Sequence, residues 1–185
     1  MLNLPNALSI LRIVLIPAFL TAMVYRRYDL ALYIFLAAAV SDKLDGLIAR
    51  ARRQQTELGA FLDPLADKFM LMSSFVAFWA FGLIPPWLAI LVLSRDIIIT
   101  TGWLTLRLLG HIRRAEPSMV GKLAVASQFA LLVAVLLNIN YGLLEALEAP
   151  LQWAVAALTG ASGLQYINRG LKASHEEGRD NRRGP

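Results

Sequence analysis

Cysteine is absent from the 185 residues, which excludes disulfides and thiolate metal sites and leaves the redox compartment open. Charge is scarce, at 17% of residues. No internal repeat, low-complexity run or long linker divides the chain, and its length suits one domain. The first apolar stretch, residues 4–25, lacks a basic start and a small-residue cleavage site and contains Arg12, so it reads as a retained helix and not a signal peptide. What fills the chain is apolar. Hydrophobic residues make up 57%, mean hydropathy is positive, and apolar stretches near membrane-spanning length recur from end to end. An all-α integral membrane protein is expected.

Six transmembrane helices are expected at about 4–25, 29–51, 57–81, 86–109, 118–139 and 147–169. Punctuation separates them: Arg26, Arg27 and Asp29, then Gly82 with Pro85 and Pro86, then Asn138, Asn140 and Gly142. Residues 1–172 form the expected helical domain, and 173–185 a polar, disordered tail. An even number of spans puts both termini on one side. Arg50, Arg52, Arg53, Arg113, Arg114, Lys122 and the basic C-terminal residues share that side, whereas the opposite breaks hold only Arg26 and Arg27 with acidic Glu145 and Glu148. The positive-inside rule makes the basic side cytoplasmic. The net charge of +5 therefore reads as topology and contact with anionic lipid headgroups, with the bilayer and not nucleic acid as partner.

Against this background, residues 42–67 stand out. They place four aspartates at helical spacing, although an aspartate at a bilayer centre costs about 2.5 to 3.5 kcal/mol. At about 100° per residue and with Asp42 at zero, Asp45 falls at about −60°, Ala49 at −20°, Gly46 at 40° and Arg50 at 80°. Counted from Gly59, Asp63 and Asp67 fall at about 40° and 80°, a second stripe. Two facing stripes across a short basic loop would gather four carboxylates near the cytoplasmic end of the bundle. An oxygen-only donor set favours Mg²⁺, Mn²⁺ or Ca²⁺ over zinc, and two such ions can clamp a diphosphate. Gly46, Ala49 and Gly59 leave room for close approach of a ligand, and Arg50 can fork onto phosphate. The plain alternative is interfacial ion pairing with Lys43, Arg50, Arg52, Arg53 or Lys68, which explains one aspartate more readily than four. An EF-hand is excluded because the oxygens do not recur at its loop positions.

Asp42, Asp45, Gly46, Ala49, Arg50, Gly59, Asp63 and Asp67 match the CDP-alcohol phosphotransferase signature D-x2-D-G-x2-A-R-x8-G-x3-D-x3-D at every fixed position. The six-helix layout agrees with that family, and Pro5-Asn6 with Ser9 and Arg12 resembles its N-terminal segment. The resemblance implies an enzyme dependent on Mg²⁺ or Mn²⁺, with two ions, that moves the phosphatidyl group of a CDP-linked lipid to an alcohol and releases CMP. It also implies Asp42, Asp45, Asp63 and Asp67 as metal ligands, Asp67 as general base, and Asn6, Gly46, Ala49, Arg50 and Gly59 around the CDP-lipid. The expected location is a bacterial inner membrane with the active site facing the cytoplasm. Related enzymes suggest a homodimer, although no interface is legible in the residues.

The acceptor is harder to read. LDPLADK, Arg95-Asp96 and Gly121-Lys122 resemble the phosphatidylglycerophosphate synthases, whose substrates are CDP-diacylglycerol and glycerol 3-phosphate. Arg95, Arg107, Arg113 and Lys122 are then the candidate ligands for the acceptor phosphate. For Arg113 the alternative is topology alone, and for Arg95 a buried pair with Asp96. SRDIIITTGW departs from the synthase pattern, while Ser41-Asp42 and PSMVGKLAVASQ resemble the CMP-forming cardiolipin synthases, whose acceptor is phosphatidylglycerol. An ion or metal transporter would also use intramembrane carboxylates, but on broken helices near the midplane and in symmetric halves. Here the acids crowd one end and one half of the chain.

Overall fold

The computed structural model describes residues 4–52, 57–108 and 118–180, with side chains described at 10–41, 68–102 and 118–168. The described residues form six helices and no strand: α1 Leu4–Val24, α2 Tyr28–Arg52, α3 Glu57–Ala80, α4 Pro86–Leu108, α5 Met119–Tyr141 and α6 Glu145–Asp180.

Local chemistry explains where the helices stop. Gly82 ends α3 in a left-handed conformation (φ 71°), with its N–H donated to the Trp79 carbonyl and that of Leu83 to Phe78, at 2.9 and 2.8 Å. This pairing satisfies carbonyls that the helix end would otherwise orphan. Pro86 then starts α4, where a missing N–H costs nothing. Arg26 makes the same turn after α1 at φ 55°, the one non-glycine positive φ among the described residues. Gly142 (φ 67°) closes α5 by donating to Asn138 at 2.7 Å.

Two ends differ from the expectation. Helix α5 continues past 139 to Tyr141, because Asn140 returns its side-chain N–H to the Leu136 carbonyl at 2.8 Å and so sits comfortably in the last turn. Helix α6 continues past 169 to Asp180, so the polar segment expected to be disordered is helical through that residue, while 181–185 lie outside the described residues. The stretch LKASHEE contains strong helix formers and no proline, and α6 runs on through Gly170 despite the low helix propensity of that residue.

The chain divides into two compact units. In the first, comprising residues 1–84 and 132–147, α1 packs against both α2 and α3. Phe19, Met23, Ala31, Phe35, Phe75 and Phe78 are buried there, and the rings of Phe19 and Phe35 meet at 5.8 Å. The tight turn between α1 and α2 makes them antiparallel. Seven residues along from each ring, Arg12 on α1 therefore stands level with Asp42 on α2.

The second unit, residues 85–131 and 148–185, contains α4, the first part of α5 and most of α6. Leu88, Ala89, Val92, Ala124, Leu131 and Val155 are buried in it, and Trp87 lies 5.4 Å from Trp153, ring to ring. A polar seam joins α5 to α6. Gln128 Nε2 donates to Thr159 Oγ1 at 3.2 Å, and the Ser118 N–H reaches the Tyr166 hydroxyl at 3.4 Å.

Among the described residues α5 is the one helix long and apolar enough to cross a membrane by length and composition; Ile10–Val24, Tyr28–Ser41 and Lys68–Ala80 are shorter apolar stretches.

Candidate active site

The signature divides between two helices that share a neighbour. Asp42, Asp45, Gly46, Ala49 and Arg50 lie in the C-terminal half of α2, and Gly59, Asp63 and Asp67 in the N-terminal half of α3. Both helices pack against α1, whose N-terminal half carries Asn6 and Arg12. Asp42 and Asp45 are three residues apart and Asp63 and Asp67 four apart, so each pair repeats within about one helical turn. The side chains of these eight signature residues and of Asn6 lie outside the described ones. Among the described residues no group of three or more acidic, histidine or cysteine side chains gathers into a metal site.

Arg12 is buried, at 1% exposure. A cation withdrawn from solvent is costly without negative charge nearby. Its position in the N-terminal half of α1 puts that positive charge toward the end of the unit where α2 carries the signature.

In the second unit the structure brings Arg95 into a buried polar cluster. Its Nη1 donates to Asp96 Oδ1 and its Nη2 to Ser162 Oγ, each at 2.6 Å, while Nε has no partner. Asp96 is 5% exposed, and the pair is thus held in low dielectric where each charge requires the other. Ser118 caps α5 by accepting the Gly121 N–H at 3.0 Å. Lys122, the next residue, is exposed. Arg107 belongs to α4 but its side chain lies outside the described ones, and Arg113 lies outside the described residues altogether.

Ser118, Ser162 and Tyr166 were not legible in the sequence as members of this hydrogen-bonded cluster. A usable signal was present in α6, where Thr159, Ser162 and Tyr166 recur at spacings of three and four, a polar stripe on one face of an apolar helix.

A family model for CDP-alcohol phosphatidyltransferase matches residues 2–162. The chain is 35% identical to the CDP-diacylglycerol–glycerol-3-phosphate 3-phosphatidyltransferase of Haemophilus influenzae, over 89% of this chain and 91% of that protein. It is 31% identical to the Bacillus subtilis enzyme of the same name, over 94% and 97%. The human CMP-forming cardiolipin synthase is 30% identical over 92% of this chain and 62% of its own length. The family match covers the signature on α2 and α3 together with most of the other four helices, and the chain therefore belongs to the CDP-alcohol phosphatidyltransferase family.

Proposed function

We propose that this protein transfers the phosphatidyl group of CDP-diacylglycerol to glycerol 3-phosphate, giving phosphatidylglycerophosphate and CMP. The observation that carries the reading is the complete eight-residue signature on two helices flanking α1, in a chain that matches glycerol 3-phosphate enzymes over nearly all of its length and theirs.

The donor chemistry suits divalent cations, since the signature offers four carboxylates and neither sulfur nor imidazole. Asp42, Asp45, Asp63 and Asp67 would hold two ions, Mg²⁺ or Mn²⁺. When bound, these supply Lewis-acid polarisation of the diphosphate and offset the carboxylate charge. The chain's own residues do the rest. Gly46, Ala49 and Gly59 allow the cytidine diphosphate close to the backbone, with Arg50 and Asn6 holding its polar groups. Asp67 takes the proton of the acceptor hydroxyl as that oxygen attacks the phosphorus bearing diacylglycerol. The bond from this phosphorus to the bridging oxygen breaks, and CMP departs with the electron pair. Arg95, Arg107, Arg113 and Lys122 are the cations for the acceptor phosphate.

The bilayer is the medium in this reading, with all six helices crossing it and the signature end facing the cytoplasm of a bacterial inner membrane. The distribution of side chains supports embedding in lipid. Val14, Ile90, Ile98, Trp153 and Leu164 are exposed, whereas Arg12, Asp96, Gln128, Thr159 and Ser162 are buried, the reverse of a water-facing surface. The excess of Arg and Lys in the breaks on one side supports the orientation.

A second reading, cardiolipin synthesis with phosphatidylglycerol as acceptor, is favoured by the similarity to the human enzyme and by Ser41-Asp42 and the PSMVGKLAVASQ segment. CMP release with each acceptor in turn separates the two. Release that requires glycerol 3-phosphate supports the proposal, and release sustained by phosphatidylglycerol alone rejects it. Arg107→Gln and Lys122→Gln should each raise the KM for glycerol 3-phosphate by about ten- to a hundredfold, the loss of one charge-assisted phosphate contact. The KM for CDP-diacylglycerol should stay within about twofold. Equal shifts in both constants would remove these residues from the acceptor site.

A further inference from the structure

The Arg95 guanidinium is held in an unusual state for a buried cation. Two N–H groups on one edge of a guanidinium, Nε–H and the neighbouring Nη2–H, are the pair that meets two oxygens of a phosphate or carboxylate side-on. In Arg95 the opposite nitrogen, Nη1, is tied to Asp96 at 2.6 Å. The side-on edge is only half used, because Nη2 bonds Ser162 Oγ at 2.6 Å and Nε has no partner although the residue is only 9% exposed. An orphaned buried donor of this kind is costly and calls for an explanation.

The same guanidinium lies in a tightly packed polar cluster around Gly121. A Cβ added there would lie 3.2 Å from Ser118 Oγ, 3.4 Å from Arg95 Nη2 and 3.5 Å from Ser162 Oγ. Three polar atoms from three helical segments thus converge beside a position that carries no side chain. Ser118 also caps the N-terminus of α5, whose dipole favours negative charge at the same place.

We infer that Ser162 is a positioning residue for the reaction: its hydroxyl, bonded to Nη2, fixes the Arg95 guanidinium against the anchor of Asp96, so that the unpartnered Nε–H is the donor left for the phosphate of the acceptor. The inference rests on the reading of Arg95 as an acceptor-phosphate ligand. Asp96 holds the far nitrogen and neutralises the charge, and Ser162 sets rotation about the Cδ–Nε bond. Without the Ser162 hydroxyl the guanidinium keeps its charge and its ion pair but loses its orientation.

The test is steady-state kinetics of the full-length protein in lipid nanodiscs with Ser162→Ala, Ser162→Thr and Arg95→Gln. Ser162→Ala should raise the KM for glycerol 3-phosphate about tenfold or more, leaving the KM for CDP-diacylglycerol and the thermal midpoint close to those of the parent. Ser162→Thr, which keeps the hydroxyl, should restore the acceptor KM. Arg95→Gln should show the acceptor defect at least as strongly. Should Ser162→Ala not assemble, Ser162→Cys removes the strong acceptor with little change of volume and is held to the same split. An acceptor KM unchanged in Ser162→Ala but raised in Arg95→Gln overturns the positioning role alone. An acceptor KM unchanged in Arg95→Gln overturns the acceptor reading of Arg95 and the inference with it. Parallel loss of both substrates and of thermal stability in Ser162→Ala, not rescued by threonine, assigns the serine to packing and overturns the inference.

Discussion

Asp67→Asn is expected to lower turnover by about a hundred- to ten-thousandfold, the usual contribution of a positioned proton acceptor. The amide keeps the shape and one oxygen of the carboxylate but cannot take the hydroxyl proton at neutral pH. Asp67 lies four residues after Asp63, about one turn further along α3, so it belongs to the same stripe as its neighbour and is the last acid of the signature. Most binding of CDP-diacylglycerol should survive, because Asp42, Asp45 and Asp63 remain to hold the cations and Asn6, Gly46, Ala49, Arg50 and Gly59 to hold the cytidine diphosphate. Asp45→Asn, on α2, should instead weaken nucleotide binding, since that carboxylate is assigned to holding cations and not to proton transfer. Equilibrium binding of the CDP-lipid measured beside single-turnover rates separates the two variants. Near-normal turnover in Asp67→Asn would reject its assignment as base.

Removal of divalent cations should abolish turnover, with Mg²⁺ or Mn²⁺ restoring it. Four aspartates within 26 residues, on helices that flank the same neighbour, would repel one another if ionised without counter-charge. The basic residues interspersed with them, Lys43, Arg50, Arg52, Arg53 and Lys68, are the competing source of that charge. The two accounts differ in a direct way. Ion pairs within the protein leave activity untouched by a chelator, whereas a cation site makes activity depend on free metal concentration in a saturable manner. Full activity in excess chelator would remove the metal site and leave the aspartates to the ion pairs.

Helix number and most helix ends were legible because the punctuation is chemical. Gly82 and Gly142 adopt the left-handed conformation that glycine tolerates, and Pro86 opens a helix where proline is favoured. Where such a signal is weak the helices run further than the sequence suggests. Asn138 and Asn140 resemble a break in sequence, yet the Asn140 amide folds back on its own helix. After Arg169, Gly170 is a residue type that commonly ends a helix, yet α6 runs through it, and the polar residues beyond include good helix formers that extend a helix readily. The signature was legible for a different reason: acids at spacings of three and four in an apolar chain admit few explanations. The seam of Ser118, Gln128, Thr159, Ser162 and Tyr166 was not. A single hydroxyl in an apolar helix can satisfy itself on the preceding turn, as Ser74 does by donating to the Met70 carbonyl at 2.7 Å. Only the packing of α4, α5 and α6 distinguishes Ser162, which reaches Arg95 across 67 positions of sequence.

The most direct measurement follows the phosphorus atom next to diacylglycerol. Purified protein in nanodiscs, given CDP-diacylglycerol labelled at that phosphorus together with Mg²⁺, glycerol 3-phosphate and phosphatidylglycerol, should place the label in phosphatidylglycerophosphate and release unlabelled CMP. Label in cardiolipin with none in phosphatidylglycerophosphate would contradict the assigned acceptor, and label in CMP or in phosphatidic acid alone would contradict phosphatidyl transfer itself.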